Sequence, residues 1–106
     1  MSLDEFTNLA TSLDGDKKLV TPKQMAEFVM IAKQCAEHQT NAEDEQTVAE
    51  YASGATSRAH ELCDSDHNLD AVHVALLELE VEYDPAVIKS EWANISTLLE
   101  PYLAGR

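Results

Sequence analysis

Basic residues are almost missing from the middle of this chain. Between Lys33 and Lys89 the only one is Arg58. Over 41–84 twelve acids stand against that single arginine, so eleven of the thirteen net negative charges in the 106 residues fall there. Charge concentrated in this way repels nucleic acid and anionic membrane and attracts basic partners. Other shortages exclude further classes. Glycine and proline number three each, too few for a turn-rich β-protein, and two cysteines exclude a disulfide scaffold. No apolar run approaches the roughly 18 residues of a membrane-spanning helix, and no charged-then-apolar leader opens the sequence. The expectation is a cytoplasmic protein with reduced thiols, Cys35 and Cys63 acting as small buried hydrophobes.

What is present points to helix. Alanine, leucine and glutamate dominate, and 44% of residues are hydrophobic, enough for one core without metal or disulfide staples. The expected fold class is all-α: a compact bundle of four to five short helices in a single domain spanning 1–106. A first helix runs about Leu3 to Leu13, with Ser2 and Glu5 at capping-box spacing. The second starts where Thr21 caps, Pro22 takes the first position and Gln24 completes a capping box. Met25, Phe28, Val29, Ala32 and Cys35 then trace one stripe. The third opens at Asn41, with Glu43, Asp44 and Glu45 at the positive end of the helix dipole. Its inner face is Val48, Tyr51, Ala52, Ala55, Ala59 and Leu62, and Gly54 among these small residues suggests close packing or a kink. The fourth, about Leu69 to Glu82, has a seam of Leu69, Val72, Leu76 and Leu79. Val74, Leu77 and Val81 widen its apolar surface, which predicts a central helix or one at an interface. The fifth opens at Asp84-Pro85 and carries Ile88, Trp92, Ile95, Leu99 and Tyr102, with Pro101 expected to loosen or end the last turn.

Four constellations could carry chemistry. Asp64, Asp66, Asn68 and Asp70 alternate as in a calcium loop, but Leu69 stands where the turn needs glycine and Ala75 where the bidentate glutamate belongs. A weaker echo begins at Asp14. His60, Cys63, Asp64 and His67 are zinc-competent residue types without a paired ligand motif. His73 beside the fourth seam is a conceivable general base, but no spacing specifies a partner for it, and a structural histidine is the simpler reading. The cap expected for the fourth helix is Asp66 or Asn68. No phosphate loop, nucleophile elbow or paired-acid motif occurs, so no catalytic residue, cofactor or metal site is assigned.

The fourth constellation is the acids themselves. Glu43, Glu50 and Glu61 are separated by 7 and 11 residues, steps that return to nearly the same helical angle, so they line one face about 10 and 16 Å apart. Asp44, Asp64, Asp66 and Asp70 extend the set. Duplex DNA carries a charge every 1.7 Å or so of its axis, and only several helices together could approach that density. The function expected from these seven residues is non-catalytic: occupation of a basic site on a partner protein, a nucleic-acid enzyme or a toxin. In general character the chain is similar to DNA-mimic inhibitors and to immunity proteins, although no motif carries a family resemblance. The alternatives are a self-associating adaptor, possible as a homodimer through the apolar helices, and a calcium- or zinc-dependent sensor. Direct binding to nucleic acid or membrane is not expected.

Overall fold

The computed structural model describes residues 2–15, 21–62 and 67–104, and over part of the helix ends (13–15, 58–62 and 67) the backbone only. Five helices account for most of it: α1 (Leu3–Gly15), α2 (Pro22–Glu37), α3 (Ala42–Leu62), α4 (His67–Leu79) and α5 (Pro85–Leu103). No strand occurs among the described residues. No helix among them is long and apolar enough to cross a membrane.

Local chemistry sets most of the helix starts. Thr21 Oγ1 accepts from the Gln24 amide at 3.1 Å, and Gln24 Oε1 accepts from the Thr21 amide at 3.1 Å, a complete capping box with Pro22 in the first turn. Asn41 and Asp44 form a similar start to α3: the Asp44 amide donates to Asn41 Oδ1 at 2.9 Å and Asn41 Nδ2 to Asp44 Oδ2 at 3.0 Å. Asp84 accepts from the Ala86 amide at 2.9 Å ahead of Pro85. At the start of α1 the Glu5 amide donates to Ser2 Oγ at 3.2 Å. The fourth helix begins at His67, so of its two expected caps Asn68 lies inside the helix, where its side-chain amide donates to the Leu98 carbonyl; Asp66 lies outside the described residues. Pro101 does not end α5, which runs two residues further to Leu103. Only the Thr97 carbonyl loses its helical donor there, a small loss so near a terminus.

The helices pack in a ring. The α2–α3 contact is the most extensive, then α3–α4, α4–α5 and α5 back to α2, with α1 laid against α3 and α2. Two cross-links show that α3 and α4 run antiparallel: Gln46 Nε2 donates to the Glu82 carbonyl at 3.0 Å, and Thr56 meets His73 ten residues further along α3. The Cα radius of gyration is 12.6 Å, close to the 13 Å or so of a compact chain this long. Met25, Val29, Val48, Leu69, Val72, Leu76, Ile95 and Leu99 are fully buried, and Phe6 stacks on Phe28 with ring centroids 5.3 Å apart. The stripes predicted for the second and fifth helices are both buried.

Gly54 is a correction. It is exposed, and a Cβ built on it meets nothing within 4 Å. Close packing therefore does not explain it. It sits four residues from Glu50 on the outward side of α3, where glycine only costs helix propensity. Gly54→Ala should raise stability by up to about 1 kcal/mol. Chemical denaturation checks this, and a loss of stability would mean that the outward placement is wrong.

Candidate functional site

The outer face of α3 is where the sequence argument placed the acids. Glu43 and Glu50 are both exposed there, and neither carboxylate is bonded to a cation among the described residues. Two helical turns of about 5.4 Å separate them. Asp44 is half-buried, and its carboxylate is occupied by Asn41 in the α3 cap, so it has a structural role whatever else it does. Asp70 is exposed in the first turn of α4. Asp64 and Asp66 lie outside the described residues, as does the side chain of Glu61, whose backbone falls within α3. Among the described residues one ion pair forms, Lys33 with Glu37 at 2.6 Å one turn along α2. The structure thus brings Glu43 and Glu50 onto one open face and sets Asp70 on the neighbouring helix.

Helix α4 has two apolar sides. Leu69, Val72, Leu76 and Leu79 are at most 2% exposed and form the seam against the bundle. Val74 and Leu77 are 53% and 43% exposed; the helix ends at Leu79, short of the Glu82 expected, and Val81 in the turn beyond it is 73% exposed. The breadth of its apolar surface therefore does not come from a central position: one side is core and the other faces solvent, with Asp70 and Glu78 at helical spacing beside it. Tyr83 and Val87 continue the exposed apolar residues into the start of α5. Tyr51, placed on the inner face of α3 by its spacing, is 39% exposed at the edge, with its ring 6.1 Å from Phe6 and nearly perpendicular to it.

The polar groups between α3 and α4 are structural. Thr56 is fully buried. Its hydroxyl donates to the Ser53 carbonyl at 2.8 Å and lies 2.7 Å from His73 Nδ1; with that proton on the carbonyl, the oxygen accepts from the tautomer protonated on Nδ1. Ser53 sits 6% exposed with its hydroxyl shared between the Glu50 carbonyl and Glu80 Oε1. These contacts tie α3 to α4, with His73 Nδ1 held against the buried Thr56 hydroxyl. Cys35 is equally passive. It is buried, its thiol is 3.7 Å from the Ser2 carbonyl, and desolvation first of all pushes its pKa up, against a smaller opposite effect of the Gln39 hydrogen bond.

The zinc-competent residues Cys63 and Asp64, and the side chains of His60 and His67, lie outside the described residues, as does Asp66 of the calcium-like run, whose remaining positions Asn68 and Asp70 lie in the first turn of α4. Among the described residues no three His, Cys, Asp or Glu side chains are grouped to hold a metal ion.

A second feature was missed in the sequence. A groove of about 350 Å³ opens between α2 and α5. Ala36, Pro85, Ile88, Trp92 and Ala93 form its apolar walls, and Lys33, Glu37, Glu45 and Lys89 its charged ones. These residues span more than fifty positions, so only the packing of α5 back onto α2 gathers them. The signal that could have found it is the basic census: Lys33 and Lys89, the two cations that bracket the acidic stretch, meet at one groove. Comparison with family models, with curated proteins and with solved structures finds no match for this chain.

Proposed function

We propose that the chain is a small non-catalytic binding protein whose acidic surface occupies a basic site on a partner protein, such as the nucleic-acid-binding site of an enzyme or the face of a basic toxin. The observation that carries the reading is the pairing state of the outer face of α3. Glu43 and Glu50 stand exposed on it, paired with no cation among the described residues, on a chain of net charge −13. Fixed on a helix, such charges steer a basic partner at long range and then pair with its lysines and arginines on contact. The partner displaces no internal salt bridge of Glu43 or Glu50 on the way.

Capture from host lysate tests this, with bound protein eluted first by duplex DNA and then by high salt. The expected result is a nucleic-acid-binding or otherwise basic protein that salt releases. For such a partner, Glu43→Lys with Glu50→Lys should slow association and flatten its dependence on ionic strength. An affinity and salt slope unchanged by the double reversal would refute the reading.

Self-association is the second reading, and the exposed Val74, Leu77 and Val81 favour it. Against it stands the charge: two copies would bring −13 against −13, with Asp70 and Glu78 beside the apolar contact. Sedimentation equilibrium at low and high salt separates the two. A dimer that tightens as salt screens the repulsion supports self-association, and a monomer at every salt concentration removes it.

A further inference from the structure

We propose that the groove between α2 and α5 binds a small organic anion, a carboxylate with a short apolar body, held by the ammonium of Lys89 and packed against Trp92. Its volume, about 350 Å³, lies at the lower end of the range of small-molecule sites, commonly about 300–1,000 Å³. Its walls suit an amphipathic guest. Ala36, Ile88, Trp92 and Ala93 offer apolar surface, and Trp92 is 3% exposed, a rigid part of the core. The two lysines differ. Lys33 is committed to Glu37 at 2.6 Å, while Lys89 has no carboxylate within ion-pair reach among the described residues. Lys23 also lacks an ion pair among the described residues, but of the two only Lys89 stands at the groove. The groove also reaches Pro85 in the first turn of α5, the positive end of that helix.

Glu45 is the carboxyl that opposes an anion here, since Glu37 is neutralised by Lys33. Burial raises the pKa of Glu45, because desolvation disfavours its charged form. The net charge of the chain also repels an anion at long range, and salt screens that repulsion. Binding should therefore tighten with added salt, the opposite of the response expected of a basic protein on the α3 face. The two proposals fail separately.

Trp92 is the only tryptophan, so its emission reports the groove directly. The probe is octanoate, with octanamide as the uncharged control. Octanoate should give a saturable change, and octanamide should bind at least about tenfold more weakly. Lys89→Gln should cost octanoate about tenfold or more while leaving octanamide unchanged, and Glu45→Gln should tighten octanoate. Amide shifts in heteronuclear spectra should centre on 33–37 and 85–93. Equal binding of the two probes, no saturable response in either emission or spectra, indifference to Lys89→Gln, or shifts centred elsewhere would each overturn the proposal.

Discussion

Leu76→Ala should destabilise the fold by about 2–5 kcal/mol, and Leu77→Ala, one residue later, by no more than about 0.5 kcal/mol. The two leucines are identical in chemistry and in helix propensity, so only their surroundings differ. Leu76 is fully buried in the seam of α4, among Leu69, Val72 and Leu79, whereas Leu77 is 43% exposed. Truncating Leu76 removes apolar area from the core and leaves a cavity that the ring of helices can only partly close. Truncating Leu77 removes area that water already touches. In a domain of this size each kcal/mol moves Tm by roughly 4–8 °C, so the first variant should melt at least about 8 °C below the parent and the second within about 4 °C of it. Thermal unfolding followed by circular dichroism reads both. Equal losses would mean that α4 is covered on both sides, and would return the exposed stripe to the interface of an assembly.

The same helix shows how far the sequence could be read. A 3.6-residue stripe identifies the core side when apolar residues occupy one side only, as in α2 and α5, where each predicted stripe is buried. In α4 they occupy both. The seam of Leu69, Val72, Leu76 and Leu79 is the buried one, as its spacing suggested, but periodicity cannot say whether the second side is covered, because that depends on what lies beyond it. Gly54 illustrates a related limit. Among small residues it suggested a close approach, but its own angle puts it on the outward face with Glu50, and only the fold shows open space there. Helix starts were legible because their chemistry is local: Thr21 with Gln24, and Asp84 with Pro85. Of the two caps open to the fourth helix, Asp66 or Asn68, periodicity could not choose, and the partner of the Asn68 side-chain amide, the Leu98 carbonyl, is thirty residues away.

The candidate site divides along the same line. The shared face of Glu43 and Glu50 follows from a seven-residue step on one helix, and both are found exposed. That Asp44 spends its carboxylate on Asn41 follows from the cap and lowers its value to a partner. The groove needs Lys33, Glu45, Lys89 and Trp92 from three helices, so nothing in the spacing could have assembled it. The acidic face and the groove also respond to salt in opposite directions, which gives each a signature that the other cannot imitate.

Thr56→Val should cost about 1–3 kcal/mol although it preserves shape and adds apolar surface. Apolar periodicity passes over Thr56 because it is polar, yet it is as buried as any leucine in the core. Its hydroxyl donates to the Ser53 carbonyl and accepts from His73 Nδ1 at 2.7 Å. Valine fills the space but leaves the His73 N–H facing an apolar neighbour. The carbonyl of Ser53 loses only a supplementary donor, so most of the penalty belongs to the histidine. Thr56→Ser keeps the hydroxyl and should cost less, chiefly the lost methyl. The decisive measurement is a double-mutant cycle with His73→Leu, which removes the orphaned donor as well. If the contact sets the penalty, Thr56→Val should be nearly neutral in the His73→Leu background, because two apolar side chains then face each other across α3 and α4. A loss equal in both backgrounds would place the cost of Thr56→Val in packing or helix propensity. It would also remove the Thr56–His73 contact from the interactions that hold those helices in register.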